Sequence, residues 1–252
     1  MRIGRGQFLL GDCFDHMRDM PDGSVDMVLA DPPYGDTSLQ WDKMLHEWER
    51  ECLRVLKRTG SMWMFGSLRS FGAMWESLSV AGWRYAQEIV WEKHNGSSFH
   101  ADRFKRVHEL AVQFVPKKTP WADTYNDVQK TMDATARAVR RKKRPPHTGH
   151  IEASSYVSRD GGPRIMRSVI YMHSCHGTAI HPTQKPSELI EILLRTSCPE
   201  EGVVLDPFAG SGTTAVAAEN AGRRWLCIEK DLDYYNRAVQ RVVGHVLLDD
   251  TP

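Results

Sequence analysis

The feature that most restricts the fold of this chain is an alternation of short apolar runs with helical patterns. The runs "QFLLGD" (7–12) and "VDMVLAD" (25–31) end in an aspartate, and "GVVLD" (202–206) and "RRWLCIE" (223–229) also end in an acidic residue. A helical pattern such as "KPSELIEILLRTSC" (185–198) separates runs of this kind. The alternation predicts an α/β fold with a doubly wound, mostly parallel sheet covered by helices on both faces.

One of the predicted helices lies early in the chain, in "WDKMLHEWERECLRVLKR" (41–58). Apolar residues at positions 41, 45, 48, 52 and 56 would share one face of that helix. The sequence therefore predicts a single helix over this whole segment.

The middle of the chain, from about 116 to 180, lacks a sustained period. It is polar and rich in Pro, Gly, Ser and His. We therefore predict an insertion, so that residues 1–115 and 181–252 form the two halves of the sheet domain and 116–180 form a region of their own.

Composition excludes several classes of protein. The 252 residues carry a net charge of +1, and no apolar run reaches the roughly 18 residues of a membrane helix. Five cysteines are scattered without C-x-x-C pairs, which argues against a disulfide framework and indicates a reducing cytoplasm. "HSCH" (173–176) has no matching ligand pair elsewhere, so we predict no metal site.

A glycine-rich turn follows one of the predicted strands, in "LDPFAGSGTT" (205–214). Gly210 and Gly212 permit a tight turn with close backbone approach to a ligand, and Glu229 follows 19 residues after Gly210. An acidic residue at about that separation binds ribose hydroxyls in nucleotide folds. A tight strand-to-helix connection would also need these glycines, and "AGSGT" departs from the dinucleotide pattern G-x-G-x-x-G.

Three motifs together indicate a family. "DPPYG" (31–35), "HPTQKP" (181–186) and "LDPFAGSGTT" occur in that order. In this combination the chain resembles the DNA amino-methyltransferases, which methylate adenine N6 or cytosine N4 with S-adenosylmethionine. The motif order is similar to that of the beta group, which implies a circularly permuted, Rossmann-like methyltransferase sheet. The resemblance covers about residues 9–115 and 181–243, and in this family the middle would be the target recognition region.

The resemblance implies that the residues after the second strand, Asp31, Pro32, Pro33 and Tyr34, are catalytic. The lone pair of a base's exocyclic amine is delocalised into the ring. Acceptors for both N–H groups would return it to the nitrogen, and the Asp31 carboxylate and the Pro32 carbonyl could supply them. Consecutive prolines aim that carbonyl rigidly, and Tyr34 could stack on a base flipped out of the duplex. A surface turn is the alternative for such a proline pair.

The family's cofactor positions also match residue by residue. Glu229 is expected at the ribose, and Thr183 and Lys185 at the methionine end, where a lysine can meet the carboxylate. Asp12 is expected near the adenine ring, although an aspartate at a helix start would also fit "GDCFDHM". The remaining expected cofactor residues are Asp206, Phe208, Gly210, Gly212 and Thr213.

Basic residues are concentrated before and within the middle region. Residues 102–144 contain 12 Lys and Arg against 5 Asp and Glu. Such an excess favours phosphate contacts, although a solvated basic loop has the same composition. The candidate DNA-binding residues are Arg103, Lys105, Arg106, Arg140, Arg141, Lys142, Lys143 and Arg144.

An aspartate in the first position of "DPPY" goes mostly with adenine in this family, so we expect adenine N6 as the target in double-stranded DNA. Alternatives are cytosine N4, a catalytically inactive DNA-binding relative, and methylation of RNA or of a protein glutamine. The resemblance leaves open a homodimer and a separate restriction endonuclease. It implies no membrane partner. It also implies a cytoplasmic enzyme, encoded either by a bacterium or by a phage that acts in the cytoplasm of its host.

Overall fold

The structure is a computed structural model that describes residues 1–35, 43–97, 101–141, 152–175, 177 and 179–249. Two compact units divide the chain. The first unit contains Met1–Asp127 and Ser168–Pro252, and the second contains Val128–Arg167.

The first unit is built on a mixed sheet. The strands of the described residues are β1 Arg2–Ile3, β2 Gly6–Leu10, β3 Val25–Ala30, β4 Leu56–Gly66, β5 Trp83–Ser97, β6 Arg106–Pro116, β7 Lys130–Ala134, β8 Arg137–Arg141, β9 Ser154–Ser158, β10 Gly162–Ile165, β11 Val169–Tyr171, β12 Val203–Asp206 and β13 Arg224–Glu229. Nine of these strands form the mixed sheet of the first unit, in the order β1-β2-β13-β12-β3-β4-β6-β5-β11. From β2 to β4 the neighbours are parallel, and β6 runs antiparallel to both β4 and β5. The prediction of a mostly parallel sheet is confirmed.

Helices cover both faces of this sheet. They are α1 Cys13–Arg18, α2 Trp48–Val55, α3 Leu68–Ala81, α4 Ser187–Ser197, α5 Thr213–Ala221 and α6 Leu232–Asp249. Met27 and Leu29 of β3 belong to the core beneath α4, α5 and α6, whereas Val28 and Ala30 belong to the core beneath α1, α2 and α3. Side chains of a strand point alternately to its two faces, so one strand contributes to both cores and the fold is doubly wound.

The early helix is shorter than the predicted segment 41–58. Its described part begins at Trp48, because Glu47 has the left-handed φ of 69° and cannot continue a helix. Leu56 belongs to β4, where it pairs with Val25 of β3. The prediction of one helix to residue 58 is therefore wrong, since pairing in the sheet overrides the helical period.

A neutral polar network joins the sheet to α4. Gln113 Nε2 donates to Ser61 Oγ at 2.9 Å and to Ser197 Oγ at 3.1 Å. Its Oε1 accepts from Gln87 Nε2 at 2.7 Å, and Trp63 Nε1 donates to Ser197 Oγ at 2.8 Å. We call these five residues the Gln113 network. It fixes the middle of β6 against its neighbours and against the covering helix.

The second unit consists of antiparallel strand pairs. β7 pairs with β10, and β8 pairs with β9. The segment that lacks a periodic pattern thus forms short strands. No helix in the described part of the chain is long and apolar enough to cross a membrane.

Candidate active site

The candidate site lies at the edge where parallel strands end. β3 and β12 are direct neighbours, with Leu205 opposite Val28, so the turns that follow these two strands emerge side by side. A cavity of about 580 Å³ opens there. Its wall includes these predicted residues: Asp12, Asp31, Pro33, Thr183, Lys185, Asp206, Phe208, Gly210, Thr213 and Glu229.

Three of the predicted catalytic and cofactor-binding residues are not part of that wall. Pro32 is buried. The hydroxyl of Tyr34 lies 3.5 Å from Glu109 Oε1, at the limit of a hydrogen bond. Gly212 faces away from the cavity, since a Cβ there would come 3.2 Å from both Ala238 and Phe8. Their assigned roles stay predictions.

The glycine-rich turn is held against the end of β13. Gly210 adopts the left-handed φ of 49°, which glycine tolerates without strain, and its N–H donates to Glu229 Oε2 at 2.8 Å. Asp231 N donates to the other oxygen at 2.8 Å. Burial raises the pKa of Glu229. Each of its oxygens keeps a second lone pair, so the carboxylate can still accept from the hydroxyls of a ligand.

Asp206, at the end of β12, is a buried carboxyl. It accepts from Phe208 N at 2.9 Å and from Thr214 Oγ1 at 2.5 Å. Burial raises its pKa to about 7, against the effect of these two hydrogen bonds, and the charge of Asp31 adds to the rise. The cavity wall therefore contains a carboxyl that changes its charge near neutral pH.

Asp31 is the central group of the site. Its Oδ2 accepts from Lys185 Nζ at 2.6 Å. Its Oδ1 is buried and has no hydrogen-bond partner among the described residues. Burial raises the pKa of Asp31, Lys185 opposes the rise and Glu109 adds to it. A buried acceptor without a partner is costly in a folded protein, and a ligand N–H would satisfy it.

Lys185 has three protein acceptors rather than a free ammonium. Nζ lies 2.6 Å from Asp31 Oδ2, 3.1 Å from Glu109 Oε1 and 3.2 Å from the carbonyl oxygen of Thr183. Burial acts to lower the pKa of Lys185, but the two carboxylates raise it above its usual value, so the side chain is charged. Its expected contact with the methionine carboxylate stays a prediction.

Two of the residues before Lys185 in "HPTQKP" that line the cavity, His181 and Thr183, also contact each other. Thr183 N and Oγ1 lie 3.3 and 3.1 Å from His181 Nδ1. Burial lowers the pKa of His181 to about 4, and the charge of Lys185 acts in the same direction. The imidazole is therefore neutral at physiological pH.

Asp12 lies at a helix start, one of the two alternatives for it, and its place near the adenine ring stays a prediction. It caps α1, accepting from Phe14 N at 2.9 Å, and it also lines the cavity. Lys230 Nζ lies 3.3 Å from its other oxygen.

Glu109 and Lys93 were missed by the sequence analysis. Glu109 Oε2 accepts from Lys93 Nζ at 2.7 Å, and Glu109 Oε1 contacts Lys185. The available signal is the period of "VHELAVQF": in a strand, Glu109 shares a face with Ala111 and Gln113, which are both buried. A charged residue on a buried strand face requires a partner.

The predicted DNA-binding residues lie in both units. In the first unit, Arg103 pairs with Asp102 at 3.0 Å, and Lys105 and Arg106 are exposed. In the second, Arg140 is exposed on β8, which ends at Arg141. Lys142, Lys143 and Arg144 lie outside the described residues.

The chain matches a known family over most of its length. Residues 25–240 match the model of the N6/N4 family, described as DNA methylase. Type II methyltransferase M.HinfI of Haemophilus influenzae is 28% identical over 261 residues, which cover 93% of this chain and 67% of that protein.

Solved structures share the fold. The crystal structure of the M1.HpyAVI–SAM complex is 25% identical, with a TM-score of 0.63 over 94% of this chain and 99% of that chain. PvuII DNA methyltransferase, a cytosine-N4-specific enzyme, is 17% identical, with a TM-score of 0.67 over 99% of this chain and 88% of that chain. The chain belongs to the N6/N4 DNA methylase family, the S-adenosylmethionine-dependent enzymes that methylate exocyclic amino groups of DNA bases.

Proposed function

We propose that this enzyme methylates N6 of an adenine flipped out of double-stranded DNA. The observation that supports this most is Asp31, which follows β3 at the cavity wall and has one buried carboxylate oxygen for which the described residues provide no partner. An acceptor in that state suits an amino group that has lost its Watson–Crick partner. The target has to leave the stack, because its nitrogen is inaccessible inside the duplex.

The residues of the cavity fit the cofactor. Glu229 offers acceptors for hydroxyls, and the Gly210 turn brings backbone close to the cavity. When bound, S-adenosylmethionine would supply a methyl group from its sulfonium sulfur, which would keep the electrons of the broken S–C bond, and the amine nitrogen would release one proton on gaining the methyl group. Asp31 holds the amine by one N–H and raises the electron density on its nitrogen. An acceptor fixed in advance by Lys185 needs little rearrangement during the reaction.

Adenine is proposed over cytosine because the motif begins with aspartate. Cytosine N4 is the second candidate, since its amine needs the same acceptors. The family as a whole includes both reactions.

The test is methyl transfer from labelled S-adenosylmethionine to unmethylated genomic DNA, followed by nucleoside analysis, with Asp31→Ala in parallel. We expect label in N6-methyladenine, and a loss of about 100-fold to 1000-fold in the variant, the usual range for one preorganised polar group. Calorimetry with the cofactor serves as the control, because Asp31→Ala should bind it as the unaltered enzyme does.

Two results would contradict the proposal. Label in N4-methylcytosine would retain the reaction and replace the base. Cofactor binding without label in DNA would mean that Asp31 and its turn serve another substrate, such as RNA or a protein amide.

We further propose that residues 116–180 recognise the target sequence and that 1–115 and 181–252 form the catalytic and cofactor-binding halves. Arg140 is one exposed cation in that middle region. Arg140→Gln should reduce the slope of log affinity against log salt by about 1 if it contacts a phosphate. An unchanged slope would remove Arg140 from the interface. A homodimer and a separate restriction endonuclease are the partners to seek, by sedimentation and by co-purification.

A further inference from the structure

Four charged side chains form a continuous row, of which Asp31 and Lys185 line the cavity and Glu109 and Lys93 do not. Lys93, Glu109, Lys185 and Asp31 alternate in sign, with contacts of 2.7 Å, 3.1 Å and 2.6 Å from one to the next. We call them the charged cluster. Exposure of the side chains is 26% for Lys93 and 21% for Asp31 at the two ends, but 13% for Glu109 and 7% for Lys185 between them.

Glu109 is in the middle of this cluster and not in the cavity wall. Its Oε1 faces Lys185 and its Oε2 faces Lys93, so both oxygens are engaged. Glu109 can therefore act on a substrate through Lys185, through Tyr34, whose hydroxyl lies 3.5 Å away, or through the effect of its charge on Asp31.

The electrostatic consequence follows from how Lys185 is shared. With Asp31 as its single anionic partner, the ammonium would withdraw electron density from that carboxylate and weaken it as an acceptor. Glu109 attracts the same ammonium, and its own negative charge repels that of Asp31. Because of both effects, Asp31 is a stronger hydrogen-bond acceptor than it would be if it were the single anionic partner of Lys185.

We propose that Glu109 is a positioning residue that shares the ammonium of Lys185 and thereby keeps Asp31 a strong hydrogen-bond acceptor for the target amine. The inference rests on the proposed role of Asp31 in methyl transfer, and it holds whether the base is adenine or cytosine.

The charged groups that act on Asp31 come from four elements. Lys185 precedes α4, Glu109 lies on β6 and Lys93 on β5, and Asp206 ends β12. After burial, Lys185 lowers the pKa of Asp31, Glu109 raises it and Lys93 lowers it. Asp31 and Asp206 also repel each other. Removing the charge of Glu109 should thus lower the pKa of Asp31, and removing that of Lys93 should raise it.

The experiment compares Glu109→Gln with Gln113→Met, a matched control on the same strand and the same face. Single-turnover methyl transfer is followed from about pH 5 to about pH 9. We expect Glu109→Gln to lower the maximal rate about tenfold and to move its acid limb about one unit lower. Its dissociation constant for S-adenosylmethionine, measured by calorimetry, should stay within about twofold of the unaltered enzyme's.

Gln113→Met should lower the melting temperature while its acid limb stays where it is. An unshifted limb in Glu109→Gln, or equal shifts in both variants, would overturn the inference.

A second variant gives the opposite sign and does not depend on the folding of the first. Lys93→Met leaves the Asp31–Lys185 contact in place, and its acid limb should move to higher pH. No shift, or a shift to lower pH, would overturn the inference. An unaltered enzyme that transfers no label to DNA would overturn the proposed function as well, whereas normal transfer with unshifted variants would overturn this inference alone.

Discussion

Strand β6 supplies the central residue of each of two groups of polar side chains, one of which is neutral and the other charged. Gln113 and Glu109 lie four residues apart on one face of the strand, and each joins side chains from several elements. The Gln113 network is neutral, and the Gln113 amide uses both Nε2 and Oε1 in it. The charged cluster contains two cations and two anions, and within the described part of the chain it leaves Asp31 Oδ1 without a partner.

The difference fits a structural role for the Gln113 network and the functional role that we propose for Asp31. A network whose polar atoms are satisfied stabilises one arrangement of the core. An ion cluster with an unsatisfied acceptor contributes less to folding than its short contacts suggest, because each charge has lost its water. Such an arrangement is expected where the unsatisfied atom binds a ligand. Here that atom is Oδ1 of Asp31, and Asp31 lines the cavity.

The largest expected effect comes from removing the cation that joins the cluster. Lys185→Met would leave Asp31 and Glu109 facing each other without compensation, at a cost of about 3 kcal/mol or more in the free energy of unfolding. Urea unfolding would measure it. The deficit should shrink as the pH falls, since both carboxyls then take up protons in the folded variant.

Lys93→Met is the control for that comparison, because its side chain is more exposed, at 26% against 7%. We expect it to lose well under half as much stability. Equal losses would show that burial does not distinguish the two lysines.

The neutral network should show the opposite balance of effects. Gln113→Met removes three hydrogen bonds and strands the Ser61 hydroxyl, so we expect a loss of about 2 kcal/mol. Methyl transfer, assayed where the variant is folded, should stay within about twofold of the unaltered rate. A large loss of rate without loss of stability would place Gln113 in the reaction and erase the distinction.

Asp206 extends the comparison of the two polar groups to a buried carboxyl of a third kind, to which the described structure provides hydrogen bonds but no cation. Its folded-state pKa of about 7 exceeds the ordinary value of 3.8. Between those pH values the folded chain therefore binds more protons at Asp206 than the unfolded chain does. The contribution of Asp206 to the free energy of unfolding falls as the pH rises from about 4 to about 7 and is constant above that. The slope reaches at most about 1.4 kcal/mol per pH unit.

Asp206→Asn should remove this slope. Melting temperatures of the two proteins between about pH 5 and about pH 8 would measure the difference, which should grow with pH and level off near 7. Parallel curves would mean that Asp206 titrates in the usual range.

Much of this site could be predicted from local sequence, because strand ends in a parallel sheet converge on one edge. Asp31, Asp206 and Glu229 each directly follow or end an apolar run, and all three line the cavity. Lys185 was predicted at the cavity for its motif, but its partners were not. Glu109 was missed because it is 78 residues from Asp31 in "VHELAVQF" and belongs to no motif that we used.

By itself, the sequence determined the alternating α/β class, the motif order and the family, since apolar periods and turn residues act over a few positions. It also placed Asp31, the residue that we propose to be catalytic, at a strand end. Only the tertiary structure decided which charges meet. The pairing of β4 with β6 and of β6 with β5 brings Glu109 and Lys93 beside the turn after β3, and the segment before α4 inserts Lys185 between the two carboxylates. Ion pairs of this kind depend on distances between strands, and a pattern along the sequence does not encode those distances directly.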